Sequence, residues 1–94
     1  MNEKLSQRCV HCIVSGRVQG VFYRASTQKH ARELGITGWV RNCPNGDVEL
    51  VACGELRVIE QLIEWLYKGP PTAKVANVFV EEYGNESFED FLII

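Results

Sequence analysis

Two stretches of this 94-residue chain place side chains of the buried type at helical spacing, and each is followed by a glycine stop. The remaining apolar runs are short and rich in β-formers, and that alternation leaves few folds open. From Phe22 to Leu34, residues Tyr23, Thr27, Ala31 and Leu34 recur at steps of four, four and three before Gly35. Leu56, Ile59, Ile63 and Leu66 form a second stripe that ends at Gly69-Pro70-Pro71. Around these helices Cys9 to Ser15, Ile36 to Arg41, Val48 to Cys53 and Lys74 to Tyr83 read as strands, with Phe91 to Ile94 as a short fifth strand at an edge. Pro44-Asn45-Gly46-Asp47 turns the second strand into the third, and Gly84-Asn85-Glu86-Ser87 turns away from the fourth.

The order βαββαβ predicts an α+β, ferredoxin-like sandwich: an antiparallel sheet with two helices on one face and the short C-terminal edge strand. Domains divide at about 100 to 200 residues, so residues 1–94 read as a single domain. With 46% of positions apolar and 23% charged, the chain has the composition of an ordinary folding sequence. The formal charge of −2 provides no global field to collect nucleic acid, so any anion site must be local. No apolar run approaches the roughly 18 to 20 residues a membrane helix needs. Met1 to Arg8 is polar and without the apolar stretch of a secretory signal, which reads as a cytoplasmic protein with reduced cysteines.

The segment Gly16-Arg17-Val18-Gln19-Gly20-Val21-Phe22-Tyr23-Arg24 runs straight from a strand into a helix. Its glycines permit a nest of successive N–H groups, and the free N–H groups and positive dipole end of the next helix complete a concave site for a tetrahedral anion. Arg24 falls in the first helical turn, where a cation is unfavourable by about 0.3 to 1 kcal/mol unless an anion occupies the loop. Arg17, at the mouth, is at most an electrostatic helper. The spacing is neither the Walker pattern nor the dinucleotide fingerprint, so nucleotide binding by those modes is not expected.

Asn45-Gly46 is turn chemistry, whereas Asn42 ends the second strand. In this fold the first and second strands run parallel, which brings Asn42 to the edge of the sheet where the Gly16–Gly20 loop lies. Its amide would face a bound phosphate and hold a water beside it.

Together, Gly16-Arg-Val-Gln-Gly-Val-Phe-Tyr-Arg24, Ala31-x-x-Leu34-Gly35-Ile-x-Gly38-Trp39-Val40-x-Asn42 and Asn45-Gly46-x-Val48-Glu49 resemble the acylphosphatase family over almost the whole chain. The resemblance implies a small, soluble, usually monomeric enzyme without metal or cofactor that hydrolyses the carboxyl-phosphate bond of small acyl phosphates. It implies that Gly16, Arg17, Val18, Gln19, Gly20, Val21 and Phe22, with Arg24, bind the phosphoryl group and equally inorganic phosphate or sulfate. Asn42 is implied to position the attacking water. Arg24 and Asn42 are thus the catalytic candidates. A carboxylate leaves without a general acid, which suits a site with no Asp/His pair near the loop. Cys43-Pro44 and the aliphatic end Leu92-Ile93-Ile94 depart from the usual pattern and bear on substrate range and edge packing.

Cys9-Val-His-Cys12 has the spacing of a metal or redox pair, but inside a strand its two thiols point to opposite faces. Cys12 then belongs to the core, while Cys9, His11 and Ile13 share the outer face with Glu49, Val51 and Cys53. Antiparallel pairing of the first and third strands sets Cys9 near Cys53, within bridging distance under oxidation. His30 is expected to face solvent, His11 to be inert, Trp65 and Tyr67 to pack, and Trp39 to bury against the sheet or else to line the site entrance. The rival functions are a silent phosphate sensor, an RNA-binding or metal-carrying module, and a piece of a larger carbamoyl-transfer protein. The acidic balance and the missing aromatic strand motif oppose RNA, the strand setting of the C-x-x-C opposes metal carriage, and a chain ending soon after the fifth strand opposes the larger protein.

Overall fold

The computed structural model describes residues 7–94. The expectation of a polar, leaderless start therefore lies mostly outside the described residues. Along the chain come β1 (Gln7–Arg17), α1 (Tyr23–Glu33), β2 (Thr37–Asn42), β3 (Val48–Glu55), α2 (Leu56–Lys68), β4 (Lys74–Glu82) and β5 (Phe91–Ile93). They build one five-stranded sheet in the order β4-β1-β3-β2-β5. β1 pairs antiparallel with β3 and β4, and β2 pairs antiparallel with β3, as the ferredoxin-like plan requires.

β5 differs from the expected all-antiparallel sheet: it runs parallel to β2, so the sheet is mixed. The chain reverses after β4, at one edge, and reaches the opposite edge before pairing again. Because β4 is antiparallel to β1, and β1 and β2 run the same way, that reversal leaves β5 running with β2.

α1 buries Tyr23, Thr27 and Ala31, the face its spacing predicted. It ends in a Schellman arrangement, with Gly35 N–H donating to Arg32 O and Ile36 N–H to Ala31 O at 2.8 Å. α2 buries Ile59, Leu62 and Leu66. Leu56, expected in the stripe, is exposed, and Ile63 packs only on the flank of the core. The buried line is set by the steps 59, 62 and 66, which turn Leu62 inward and leave position 56 at the exposed start of the helix. Between helices and sheet lies the core, where Val10, Cys12, Val14, Val40, Leu50 and Ala52 meet Tyr23, Ile59, Leu62 and Leu66.

On the other sheet face Cys9, Val51 and Cys53 form a smaller cluster under Trp39 and Phe88. Cys9 and Cys53 are register partners with Cα atoms 4.0 Å apart, and their sulfurs are joined. Trp39 packs on this outer cluster, away from the helix face. His30 corrects the expectation of a solvent-facing ring: it is half-buried and stacks on Trp65 with centroids 4.4 Å apart. Among the described residues no helix is long and apolar enough to cross a membrane.

Candidate active site

The 18–22 loop is shaped by what holds it down. The side chains of Val18 and Val21 are buried in the core and act as two pegs. Between them the Gln19 amide donates to the carbonyls of Cys43 and Asp47, both at 2.8 Å, tying the loop to the β2–β3 turn. On the other side the Thr72 hydroxyl donates to Val21 O at 2.9 Å. Every one of these ties uses a side chain or a carbonyl of the loop, and none uses its N–H groups. From Val18 to Ala25, no backbone N–H donates to a backbone carbonyl among the described residues.

Backbone angles explain why that geometry is accessible. Gly16 has φ +120° beside a bulge in the β1–β4 pairing, and a Cβ there would run into Lys74 O and lie 2.6 Å from Ala76 N. Gly20 has φ +74° and faces open space. Phe22, the residue before α1, is the single described non-glycine residue in the left-handed region, at φ 65° and ψ 23°. That conformation costs an ordinary side chain about 1 to 2 kcal/mol. Left-handed residues alternating with ordinary ones turn successive N–H groups to one side, as in an anion-binding nest.

Arg24 lies in the first turn of α1, which carries no acidic residue. The guanidiniums of Arg8, Arg32 and Arg41 pair with Glu82, Asp90 and Glu49. Arg24 and Arg17 pair with no carboxylate among the described residues, so positive charge at the loop is unneutralised by protein. A cleft of about 300 Å³ opens over the loop, lined by Val18, Gly20, Phe22, Arg24 and Ile93 among others. This is the low end of the roughly 300 to 1,000 Å³ typical of small-molecule sites.

Asn42 reaches this end of the sheet through register. Both Val14 and Asn42 pair with Val48, so the end of β1 and the end of β2 flank the same residue of β3. Val40 is buried under the helices, and Asn42, two residues on, faces the same side. Its Oδ1 is buried and has no hydrogen-bond partner among the described residues. Buried polar atoms are nearly always paired, so an orphan carboxamide oxygen beside an anion-shaped loop is an exception that calls for a functional account. Arg24, Asn42 and the loop thus share one end and one face of the sheet. Arg17 is exposed at the loop's start.

Neighbouring groups offer no competing chemistry. Burial, with the Glu49 carboxylate, pushes the Cys43 thiol up, and burial pushes Cys12 up to about 12, so neither is a ready nucleophile. The Tyr23 phenol is also pushed up by burial and is spent on a hydrogen bond to Leu66 O at 2.6 Å. Among the described residues no group of three or more His, Cys, Asp or Glu is placed to hold a metal ion. His11 lies on the outer sheet face, with Nε2 2.6 Å from Glu49 and Nδ1 3.0 Å from Glu81. Sequence reasoning missed that pairing, the Gln19 and Thr72 ties and the place of Ile93. The partners lie 24 to 70 residues apart in the chain, and no local signal marks them.

A family model described as Acylphosphatase matches residues 10–93. A relative from Coxiella burnetii named Acylphosphatase is 54% identical over 88 residues, covering 94% of this chain and 93% of the relative. The solved structure of an acylphosphatase from the same organism superposes with a TM-score of 0.95 at 51% identity, covering 100% of this chain and 99% of that one. One from Bacillus subtilis gives a TM-score of 0.89 at 34% identity, over 92% and 97%.

Proposed function

The chain belongs to the acylphosphatase family and is a hydrolase acting on acyl phosphates; on that footing we propose that its phosphoryl site is the loop Gly16–Phe22 with Arg24, and that Asn42 aims the attacking water. The observation carrying this reading is the coincidence, at one end of the sheet, of loop N–H groups, a guanidinium and a buried carboxamide oxygen that have no partner among the described residues.

The chemistry follows from those groups. The phosphoryl oxygens accept from the loop N–H groups and from two parallel N–H groups of Arg24, a charge-assisted and bidentate arrangement. As charge spreads over the equatorial oxygens during transfer, the same donors bind the transition state more tightly than the ground state. Asn42 Oδ1 accepts one hydrogen bond from water and fixes its line of attack. The water oxygen bonds to phosphorus as the bond from phosphorus to the acyl oxygen breaks. The electron pair leaves with the carboxylate, one water proton stays on the phosphate and the other passes to solvent. The carboxylate is stable as an anion, so the step proceeds without a general acid and without a metal.

The same reading takes residues 1–94 as one domain acting as a cytoplasmic monomer, with inorganic phosphate or sulfate held where the phosphoryl group sits. The decisive assay compares acetyl phosphate with an aryl phosphate monoester in the presence of a chelator. Cleavage of the acyl phosphate alone is the expected result. Phosphate binding with cleavage of neither would reassign the site to a silent sensor.

A further inference from the structure

Phe22 is unexplained by folding. The residue is 78% exposed and its backbone holds the left-handed conformation, two features that each oppose stability at a residue whose side chain is not part of the core. An outlier of this kind beside a site is a pointer to use. Phe22 lines the cleft over the loop, and the lining also includes Ile93, 38% exposed on β5 and paired with Val40, two residues from Asn42. Below the loop the space is filled by Val18 and Val21, so whatever is bonded to a phosphoryl group in the loop must lie in this open cleft. Apart from Arg24, no charged residue lines it among the described residues.

We propose that Phe22 and Ile93 form the seat of the substrate's acyl group, and that this protein selects acyl phosphates whose acyl group is bulky and apolar. This rests on the phosphoryl site proposed above. Apart from the loop N–H groups and Arg24, which the phosphoryl group takes up, Phe22 and Ile93 present only apolar surface, so an alkyl or aryl group removes two exposed apolar side chains from water on binding, whereas a dicarboxylate or a hydroxylated chain gains no polar partner from them. A fully buried methylene is worth roughly a factor of four in binding, and a half-buried one roughly two. An acyl chain four methylenes longer than acetyl therefore gains on the order of tenfold from a half-open wall.

Hexanoyl and acetyl phosphate test this, because their carboxylate leaving groups are alike and any difference in kcat/KM reports contact with the chain. The wild-type protein is expected to prefer hexanoyl phosphate by about tenfold. In Phe22→Gly, which keeps the left-handed backbone open to the loop, and in Ile93→Ala, the preference is expected to fall several-fold, and in the double variant to within about threefold of unity. Competitive inhibition by inorganic phosphate reports the loop separately. A preference reduced in Ile93→Ala, whose residue lies on β5 outside the phosphoryl loop, with phosphate inhibition unchanged supports the proposal. A wild-type preference near unity, or hexanoyl and acetyl turnover falling in parallel in the variants, overturns it while leaving the phosphoryl site intact. Turnover of neither substrate by the wild-type protein overturns both.

Discussion

Removing the Asn42 carboxamide should separate activity from stability. Oδ1 is buried without a partner, and the side chain makes no hydrogen bond within the described residues. Truncation in Asn42→Ala therefore breaks no protein hydrogen bond. A buried unpaired acceptor costs about 1 to 3 kcal/mol of desolvation, and removing it offsets the small loss of side-chain packing at the end of β2. The net change in unfolding free energy is expected within about 1 kcal/mol of zero. Turnover should respond differently. A water no longer held on line loses orientation, and a misplacement of about 1 Å costs on the order of a hundredfold. That corresponds to about 2.7 kcal/mol on the barrier. Steady-state kinetics with acetyl phosphate, inhibition by inorganic phosphate and urea denaturation on the same preparation read the three quantities. The expected pattern is kcat down at least about a hundredfold, phosphate inhibition changed only a few-fold, and an unmoved denaturation midpoint. Turnover within about threefold of wild type would refute the role of Asn42 in aiming water. A stability loss above about 2 kcal/mol would instead mark the amide as structural.

Arg24→Ala should lose both phosphate inhibition and turnover, by about a thousandfold or more in kcat/KM, with stability equal or slightly raised because the first turn of α1 loses an unpaired cation; Arg24→Lys should recover little, since an ammonium cannot make the bidentate pair. Gly16→Ala should cost about 2 to 4 kcal/mol in urea denaturation, because the new Cβ meets the backbone of Lys74 and Ala76 at the bulge and the residue keeps a positive φ. Reducing the Cys9–Cys53 bridge, or replacing Cys9 by Ser, should lower stability by up to about 4 kcal/mol, the chain-entropy value for cysteines 44 residues apart; an unchanged midpoint with and without reductant would show the thiols unlinked. Glu49 is held below its ordinary value of 4.5 first by its hydrogen bond to His11, with Arg41 adding to it. A depressed folded-state pKa contributes stability that is present above the unfolded value and lost as pH falls through the folded one, so wild type should weaken on acidification below about 4.5 and Glu49→Gln should show a shallower acid limb.

How legible the site was depends on the range of each interaction. Gly16, Gly20 and Arg24 announce themselves because left-handed backbone and a helix start are local facts, readable within nine residues of sequence. Asn42 could be placed because strand alternation and the parallel course of β1 and β2 follow from the order of elements. Gln19 was legible as a loop residue but not as the tie to Cys43 and Asp47, because that role exists only once the β2–β3 turn is folded beside it. His30 faces Trp65 rather than water for the same reason, as α1 and α2 must first dock.

The order and type of the elements, the core face of α1, the opposed faces of Cys9 and Cys12 and the anion-shaped loop were set by residue spacing alone, since periods of 2 and 3.6 assign each side chain a face whatever the partner. Only the assembled molecule decided that β5 runs with β2 and carries Ile93 to the cleft, that Leu62 rather than Leu56 enters the core, and that Asn42 Oδ1 is buried without a partner among the described residues. Those outcomes depend on which surfaces meet across many tens of residues, and solvent is excluded from a site only by neighbours that the local chain cannot name.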